Sequence, residues 1–495
     1  MGRFQKVATQ AWQRVGSFIQ NNIAFCVLLA VFFMAHLPGL TNPPLDLHSW
    51  RQTDTAAVAR NLREESVNIF MPRIDMRAQH SGVTGMEFPL YNGLLYLTNT
   101  VFGFAHWHGR LISLLASCMG MGFFYAFVKR RYDQQTAIVA AGGLALLPLW
   151  FYFSRNIQPD VLMVSLSLGA IYYAQRFSET GKRRQLILLL IFFSLACLVK
   201  LPAVFIAPVI LAIIGWRRIR KAMSWQNVGW VILLVVLPSL LWYRQSAYLS
   251  ANYGLGQYYY GDLSLKLSYE LLRQGGLIGV LQFYNLPFAK STFFYYVFAL
   301  FGLIRLVARR DWVPLIWAGS IGAFLLIFGN KSFYHNYYSL PLTPILALVM
   351  AIGAVWLYQV IAKESRWVAV VLSIVVVVAA AKHTYQTIKP WYALGSTSAL
   401  RLEQIMDRLS ERRDLVAVNW SGNPQLLYFA HRKGWSLADL SPTALRSLQP
   451  LGLKYAVIDT RGDQAATEAA EQSYVSAGME SVYRDSDFLI VRVAR

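Results

Sequence analysis

Apolar runs separated by short polar turns dominate the hydrophobic pattern of the chain. About eleven of these runs approach the roughly 20 residues that a helix needs to cross a bilayer. They lie at residues 21–40, 108–128, 134–153, 161–177, 185–199, 203–216, 228–243, 291–308, 312–328, 339–360 and 366–381. Because a soluble protein of this size exposes far more polar positions, the pattern predicts a polytopic α-helical membrane protein with about 11 transmembrane helices.

A further apolar stretch, residues 88–104, is interpreted differently. As a span it would place the basic turn at residues 129–131 on the opposite side from the other basic turns. We therefore predict a helix that lies in the membrane interface, held there by its aromatic side chains. It ends a first long loop, residues 41–107, and a second long polar segment covers residues 243–290.

Basic residues mark one side of the membrane. The net charge is +21, and Lys and Arg gather at residues 129–131, 182–184, 217–221, 309–310 and 363–366. All of these turns fall on one side if the N-terminus is cytoplasmic, which the positive-inside rule favours. The charge therefore predicts a cytoplasmic N-terminus, an outer C-terminus and anionic lipid neighbours, and it does not indicate a nucleic-acid partner.

The composition changes near residue 385 to that of a soluble domain. Short apolar stretches predict strands at residues 415–418, 455–458 and 488–491, and residues 400–409 and 464–477 predict helices. We therefore divide the chain into a transmembrane domain, residues 1–384, and a small soluble α/β domain, residues 385–495, that lies outside.

The sequence indicates no metal site and no cofactor. The three cysteines, Cys26, Cys118 and Cys197, all lie in apolar runs, where they are expected to be buried apolar side chains. The first long loop contains no Asp-x-Asp motif, which weakens the case for a divalent ion, although such an ion stays possible.

The stretch at residues 46–61 concentrates polar chemistry where the chain leaves the first span. It combines two carboxylates, an imidazole, a guanidinium and a Trp, and then becomes helical. Ser49 or Thr53 is expected to cap this helix, and Asp54 near its start suits the helix dipole. Two interpretations stay open here: a capped interfacial helix with a Trp anchor, or a catalytic loop held against the bilayer.

Further ionisable residues reach the outer surface in the predicted topology. They are Glu87, Arg155, Asp160, Lys200, Lys331 and His335. Charges near a bilayer are costly and usually serve a function. Individually, Lys200 could simply extend to the interface, and His335 could belong to an aromatic belt. Together, carboxylates beside cations suit a reaction in which a hydroxyl loses a proton while an anionic phosphate leaves.

The order of these features resembles the GT-C glycosyltransferases. The motifs that carry the resemblance are His48-Ser-Trp-Arg-Gln-Thr-Asp-Thr55 and Glu87-Phe-Pro-Leu-Tyr91, followed by Asp160 and Lys200-Leu-Pro202. The similarity covers about residues 20–345 and is closest to the bacterial branch that resembles protein O-mannosyltransferases and the aminoarabinose transferase of lipid A. It implies a polyprenyl-phosphate-linked sugar donor, an active site at the outer membrane face and inversion at the anomeric carbon.

The chain also departs from the pattern of these enzymes. Arg51-Gln52 stands where an acidic residue, often an Asp-Glu pair, usually precedes the loop helix, and Asp54 follows about one turn later. Phe88 replaces the Lys that often follows the Glu. Asp54 and Asp46 are therefore both candidates for the base.

We assign roles to the candidate site residues as follows. Asp54 is the expected base with Asp46 as second choice, and Glu87 and Asp160 are expected to position the acceptor or the sugar. The donor phosphate is expected to contact Lys200, Arg51, His335, Lys331 and Arg155. Further substrate contacts are expected from His48, Trp50, Tyr91, Tyr258 and Tyr259.

Together with these residues, the resemblance implies a glycosyltransferase of the bacterial inner membrane, with its C-terminal domain in the periplasm. It would move a sugar from a polyprenyl-phosphate donor to a hydroxyl of a cell-envelope lipid, glycan or protein. Two alternatives stay open: a polymerase or ligase of polyprenyl-linked polysaccharide, and a lipid-sugar transporter without transferase activity. The ionisable groups lie at the ends of spans, whereas transporters usually place them near the midplane, so the enzyme is favoured.

Overall fold

The computed structural model describes residues 20–253, 269–270, 273–274, 293–328 and 335–493. The helices up to the second long segment are α1 (Ile23–His36), α2 (Ser49–Glu64), α3 (Leu90–Phe102), α4 (His106–Arg131), α5 (Gln134–Leu146), α6 (Pro148–Phe153), α7 (Asp160–Thr180), α8 (Arg183–Val199), α9 (Ala207–Ile214), α10 (Trp216–Ala222), α11 (Trp225–Val231) and α12 (Leu237–Tyr253). After it come α13 (Phe293–Ala308), α14 (Trp312–Ile327), α15 (Leu342–Glu364) and α16 (Arg366–Ile388). Short 3-10 helices cover Leu201–Ile206 and Asn336–Ser339.

The apolar runs that predict spans fall on helical segments throughout the described residues. Four of these segments are long and apolar enough to cross a membrane: His106–Arg131, Trp225–Tyr253, Leu342–Glu364 and Arg366–Tyr392. The pair Leu201–Ile214 and Trp216–Ala222, bent by 94°, would be a fifth. The structure therefore has the helices of a multi-pass membrane protein, while the count of about 11 spans stays a prediction.

The helix α7 lies in the centre of the bundle. Its residues are buried on all sides from Asp160 to Ile171, which suits its nearly continuous apolar sequence. Gly120 of α4 allows a close crossing, because a Cβ atom there would collide with Ser165 of α7. Since α7 and α8 run antiparallel, the start of α7 and the end of α8 lie at the same end of the bundle.

The start of α2 differs from the sequence prediction. The helix begins at Ser49, after His48 in the left-handed conformation (φ 60°), and no side chain caps it. Ser49 Oγ instead donates a hydrogen bond to Gln425 Oε1, and Thr53 Oγ1 donates to the carbonyl of Ser49. Asp54 lies beyond the first turn, where the helix dipole has little effect. The predicted cap by Ser49 or Thr53 and the predicted dipole effect on Asp54 are therefore wrong.

The chain after α16 forms a small α/β domain. Its helices are α17 (Leu402–Leu409), α18 (Gln425–Ala430), α19 (Pro442–Leu448) and α20 (Gln464–Ser476). Its strands are β1 (Leu415–Val418), β2 (Lys433–Ser436), β3 (Leu453–Asp459), β4 (Glu480–Arg484) and β5 (Phe488–Arg492), in the order β2-β1-β3-β5-β4. Strands β2, β1 and β3 are parallel, and β5 is antiparallel to β3 and β4. The three predicted strands correspond to β1, β3 and β5.

This C-terminal domain packs on the first long loop. A short parallel bridge joins Met76 of the loop to Gly434 of the edge strand β2, and Gly434 N donates to Asp75 O (3.2 Å). The Asp75 side chain is fully buried and forms ion pairs with Arg60 of α2 and with Lys433 of β2. The helix α2 is therefore held between the bundle and the sheet.

Candidate active site

The helix α2 brings a run of polar side chains into the interior. Arg51, Gln52, Thr53 and Asp54 are all buried, although the helix has a polar sequence on average. Buried polar and charged groups need partners inside the protein, because leaving them unpaired costs several kcal/mol. Their partners come from other elements, and they define the site.

Five charged side chains gather around the start of α2. This charged cluster consists of Arg51, Asp54, Glu87, Asp160 and Lys200. Arg51 pairs with Glu87, and its Nη1 lies 3.8 Å from Asp54 Oδ2. Lys200 Nζ donates to Asp160 Oδ1 at 2.6 Å. The cluster thus contains two ion pairs that join a cation to a carboxylate on another element, and one longer ion pair within α2.

Backbone geometry explains why these residues meet. Asp160 is the first residue of α7 and Lys200 follows the last residue of α8, so the antiparallel pair of helices brings the two together. Glu87 joins them because Phe88 N donates to the carbonyl of Leu198, near the end of α8 (3.0 Å). Three sequence-predicted positions that are far apart in the chain therefore form one site.

The charges within the cluster stabilise one another. Burial alone would raise the pKa of Glu87, but Arg51 and Lys200 outweigh it and lower that pKa. Burial alone would lower the pKa of Lys200, but Asp160 and other anionic neighbours raise it. Glu87 is therefore ionised and Lys200 is protonated at neutral pH.

Aromatic rings cover the cation of Lys200. Its Nζ lies 4.8 Å from the ring centroid of Tyr337 and 4.5 Å from that of Tyr338. His335 stacks on Tyr337 with ring centroids 5.2 Å apart, and it also contacts Trp50. The loop before α15 thus supplies a cation–π surface to the charged cluster. This loop also brings the predicted residues Trp50 and His335 into contact with each other.

His48 links the charged cluster to a second group of buried charges. Its Nε2 lies 2.8 Å from Asn336 Oδ1, and its ring contacts Tyr337. Burial lowers the pKa of His48, although the hydrogen bond to Asn336 and the charges of Asp160 and Asp46 partly oppose this shift. The imidazole is therefore neutral at pH 7 and lies in the field of both carboxylates.

The second group is built around Asp46. Asp46 accepts a hydrogen bond from Gln52 Nε2 (2.6 Å), and its Oδ2 lies 3.2 Å from Arg110 Nη1 and 3.6 Å from Arg155 Nη2. Arg155 also donates to the carbonyl of Pro38 (2.9 Å). Two guanidinium groups thus pair with this buried carboxylate. The structure places Arg155 with Asp46 and thereby separates two predicted phosphate ligands, Arg155 and Lys200, into different groups.

Two buried polar groups near the cluster lack partners among the described residues. Asp160 Oδ2 accepts no hydrogen bond there, and neither the oxygen nor the nitrogen of the Gln158 amide has a partner. Both side chains are about 2% exposed. Unsatisfied buried groups are rare in proteins and are common at sites that bind a ligand or water.

The remaining predicted residues divide into two sets. Tyr91 is buried, and its hydroxyl donates to the carbonyl of Gly109 (2.7 Å) and contacts Ser113 Oγ (2.9 Å). Its hydroxyl is thus used within the protein, between α3 and α4. Tyr258, Tyr259 and Lys331 lie outside the described residues, so their roles stay predictions.

The sequence analysis missed several residues of the site. Arg110 lies inside an apolar run, yet it is fully buried and pairs with Asp46. A lone arginine in such a run was the available signal, since charges within membrane segments usually serve a function. In the sequence, Tyr337 and Tyr338 indicated only an aromatic belt at the membrane interface.

Among the described residues, no group of three or more His, Cys, Asp or Glu side chains could hold a metal ion.

The fold, an apolar helical bundle with a small C-terminal domain, is similar to that of the GT-C glycosyltransferases. Residues 87–242 match the model of the family described as dolichyl-phosphate-mannose-protein mannosyltransferase. This match covers α3 to the first part of α12 and includes Glu87, Asp160 and Lys200. A comparison with curated protein sequences found no match.

Solved structures extend the likeness to nearly the whole chain. ArnT from Cupriavidus metallidurans, bound to undecaprenyl phosphate, aligns with a TM-score of 0.64 and 14% identity over 96% of this chain and 98% of that chain. The oligosaccharyltransferase AglB from Archaeoglobus fulgidus, in complex with an inhibitory peptide and a dolichol-phosphate, aligns with a TM-score of 0.56 and 14% identity over 95% of this chain and 74% of that one. The predicted resemblance to GT-C glycosyltransferases is therefore confirmed, and the shared fold includes the C-terminal domain.

Proposed function

We propose that this protein is an integral-membrane glycosyltransferase. It moves a sugar from a polyprenyl-phosphate donor to a hydroxyl of a cell-envelope acceptor, at the outer face of a bacterial inner membrane. The observation that carries the proposal is the charged cluster, in which two buried cation–carboxylate pairs lie at one end of an apolar bundle. The structural relatives support the donor class, since one is bound to undecaprenyl phosphate and another to a dolichol-phosphate.

The proposed reaction is a single displacement at the anomeric carbon. The acceptor oxygen forms a bond to this carbon while the bond to the donor phosphate oxygen breaks, and the phosphate leaves with the electron pair. Attack from the opposite side inverts the anomeric configuration. The acceptor hydroxyl gives its proton to a carboxylate, for which Asp54 is the first choice and Asp46 the second.

The choice of Asp54 rests on the neighbours of the two carboxylates. Asp46 forms ion pairs with both Arg110 and Arg155, in the second group of buried charges. Asp54 belongs to the charged cluster and is separated from Arg51 by 3.8 Å. Lys200 and Arg51, the proposed contacts of the donor phosphate, belong to this same cluster. Asp54 is therefore the first choice, since it lies with the groups proposed to hold the donor.

Lys200 and Arg51 are proposed to stabilise the charge that grows on the leaving phosphate. Electrostatic stabilisation of this kind often contributes more to catalysis than any other effect, because the charges are fixed before the reaction and shielded from water. Tyr337 and Tyr338 exclude water from one side of Lys200. Glu87 and Asp160 hold the two cations in place, and Asp160 Oδ2 with the Gln158 amide offers contacts to sugar hydroxyls.

Replacing Lys200 by Met tests the proposed donor site. We expect turnover of polyprenyl-phosphate sugars, extracted from host membranes and assayed with the purified protein, to fall about 10²–10³-fold, since one stabilising charge is lost. Lys182→Met is the matched control, because Lys182 precedes the other end of the same helix α8 and is exposed. A folded Lys200→Met protein with unchanged turnover would remove Lys200 from the site. A folded wild-type protein that consumes no donor would contradict the proposed function.

Reporter fusions test the proposed orientation. A reporter that is active only in the cytoplasm should be silent after Arg495 and active in the basic turn at residues 182–184, between α7 and α8. The expectation rests on the one-sided distribution of basic turns. An active reporter after Arg495 would place the C-terminal domain in the cytoplasm and overturn the assigned face.

A polysaccharide polymerase or ligase would use a similar donor with a larger acceptor. The fold shared with an oligosaccharyltransferase keeps this alternative open. Mass spectrometry of cell-envelope glycans, with and without the protein, distinguishes the two. A single added sugar supports the proposal, and a lost polymer or a lost transfer of a whole glycan supports the alternative.

A further inference from the structure

A narrow cleft lies between α13, α15 and the start of α5. The helices α13 and α15 first cross in close contact, because a Cβ atom on Gly302 would collide with the backbone of Val349. Beyond this crossing lies a cavity of about 30 Å³, which has room for one or two water-sized groups. We call it the α13–α15 cleft, and the residues that line it include Asp133, Arg305, Arg309, Val355, Trp356 and Gln359.

The α13–α15 cleft lies at the end of the bundle opposite the candidate active site. The helix α15 begins at Leu342, just after the tyrosines over Lys200, and Gln359 lies roughly 25 Å further along its axis. The basic turns at residues 129–131 and 309–310 lie at this same end, beside the cleft. In the proposed orientation this is the cytoplasmic surface of the membrane, whose lipids carry a negative surface charge.

Two arginines of α13 line the cleft without a carboxylate partner. Arg305 and Arg309 are one turn apart, and neither guanidinium has a hydrogen bond or an ion pair within the described part of the chain. The Cζ atom of Arg305 lies 5.6 Å from the ring centroid of Trp356, and Phe301 contacts the same indole (ring centroids 5.3 Å apart). A cation–π contact orients a guanidinium and leaves its N–H donors open. The cleft therefore offers the unused donors of two neighbouring cations.

The carboxylates near the cleft are used by other groups. Asp133 caps α5, where its Oδ1 accepts from Thr136 N (2.7 Å) and its Oδ2 accepts from Thr136 Oγ1 (3.0 Å). Asp311 accepts a hydrogen bond from Tyr132 at the edge of the cleft (2.6 Å) and forms an ion pair with Arg131. The two arginines of α13 outnumber the one acidic residue of the lining, so the cleft has a net positive charge.

The surroundings of the two arginines favour a lipid over a soluble anion. Ile304 and Val307 of α13 are about half exposed, as expected of a helix surface that contacts lipid tails. Ile352 and Val355 of α15 line the cleft with buried apolar side chains. The cavity is too small for a whole head group but can admit phosphate oxygens, while the remainder of a lipid lies along α13. Arginine suits such an oxygen pair, because its planar fork can donate two parallel hydrogen bonds to one phosphate.

We propose that the α13–α15 cleft binds the phosphate of an anionic phospholipid. Arg305 and Arg309 donate to the phosphate oxygens, and the acyl chains lie along the exposed apolar surface of α13. Basic pockets between membrane helices bind anionic head groups in this way. The basic turns predict anionic lipids around the whole surface, whereas the cleft defines one saturable site for one lipid. Only the name of the leaflet depends on the proposed orientation, and the site does not require transferase activity.

Native mass spectrometry of the full-length protein in detergent, titrated with phosphatidylglycerol or phosphatidylcholine, tests the proposal. We expect the wild type to retain one phosphatidylglycerol about tenfold more tightly than phosphatidylcholine, which has no net charge. The double variant Arg305→Ala with Arg309→Ala should lose this preference. If it is unstable, Arg309→Ala alone serves, because Arg309 is exposed. The matched control is Arg217→Ala with Arg220→Ala, which removes the same charge from exposed positions of α10 outside the cleft and should bind as the wild type does.

Several results would overturn the assignment. Equal retention of the two lipids would show that the cleft does not select an anion. Unchanged retention by the Arg305 and Arg309 variant would place the lipid elsewhere, and an equal loss in the Arg217 and Arg220 control would make the attraction a property of the whole basic surface. Displacement by inorganic phosphate, at an ionic strength matched with sodium chloride, would assign the cleft to a soluble anion. None of these results affects the proposed function, which donor turnover tests separately.

Discussion

Asp54→Asn is expected to lower sugar transfer by about 10²–10⁴-fold, which is the usual contribution of a positioned general base. The amide keeps the shape of the side chain but cannot accept the proton of the acceptor hydroxyl. Arg51 keeps its pairing with Glu87 in this variant, so no cation is left without a partner. We therefore expect a folded protein with a thermal midpoint close to that of the wild type. Transfer is measured with purified protein and donor, beside thermal unfolding.

Asp46→Asn is the control that separates chemistry from stability. It would leave Arg110 and Arg155 buried without their carboxylate, and breaking a buried ion pair costs about 3–5 kcal/mol. The expected result is a clearly lower thermal midpoint. The assignment of the base would be overturned if Asp54→Asn keeps most of its activity while a folded Asp46→Asn protein has none. Asp46 would then be the base.

Asp75→Asn is expected to release the C-terminal domain from α2. Asp75 is fully buried between Arg60 Nη2, at 2.5 Å, and Lys433, and it also accepts from Asn61 Nδ2 at 2.9 Å. Removal of the carboxylate leaves buried Arg60 without its ion pair and leaves Lys433 with only the longer contact to Glu65 (3.7 Å), at a cost of about 3–5 kcal/mol. We expect a lower thermal midpoint and faster proteolysis of residues 389–401. Asp463→Asn, at the exposed start of α20, is the control and should change stability by less than about 1 kcal/mol.

The same ion pairs predict a dependence on pH. Burial alone would raise the pKa of Asp75, but Lys433 and Arg60 outweigh it and hold that pKa well below its usual range. A carboxyl group with a lowered pKa stabilises the fold above its unfolded pKa, near 3.9, and loses this contribution as the pH falls further. The contribution of Asp75 to the docking of the C-terminal domain should therefore stay constant between pH 5 and 7. It should weaken only below about pH 4. A loss of docking near pH 6 would contradict the assignment to Asp75.

The sequence predicted those parts of the fold that bury apolar residues. Runs of apolar residues gave the helices of the bundle, because lipid and helix contacts leave few polar positions. In the C-terminal domain it predicted β1, β3 and β5, which occupy the middle of the sheet. It missed β2 and β4, the two edge strands, whose sequences Lys433–Ser436 and Glu480–Arg484 mix polar and apolar residues. An edge strand is partly solvated and so lacks a continuous apolar signal.

The site could be predicted only in part, for a similar reason. Charged residues in apolar surroundings marked Glu87, Asp160 and Lys200, and the structure brings all three together. The sequence could not predict which charged side chains form ion pairs. Partners such as Arg51 with Glu87 and Arg110 with Asp46 come from elements that meet only in the folded chain. The sequence also could not predict how α2 begins. Ser49 donates its hydrogen bond to Gln425 of the C-terminal domain and does not cap its own helix.

The position of Lys433 has a consequence for biosynthesis. Asp75 and its partner Lys433 are 358 positions apart in the chain. Contacts of such long range form late, and synthesis proceeds from the N-terminus. The ion pair between Asp75 and Lys433 can therefore form only after the membrane helices are inserted and the last domain has folded. The helix that carries Arg51 and Asp54 therefore reaches its final support only after the last domain of the chain has folded.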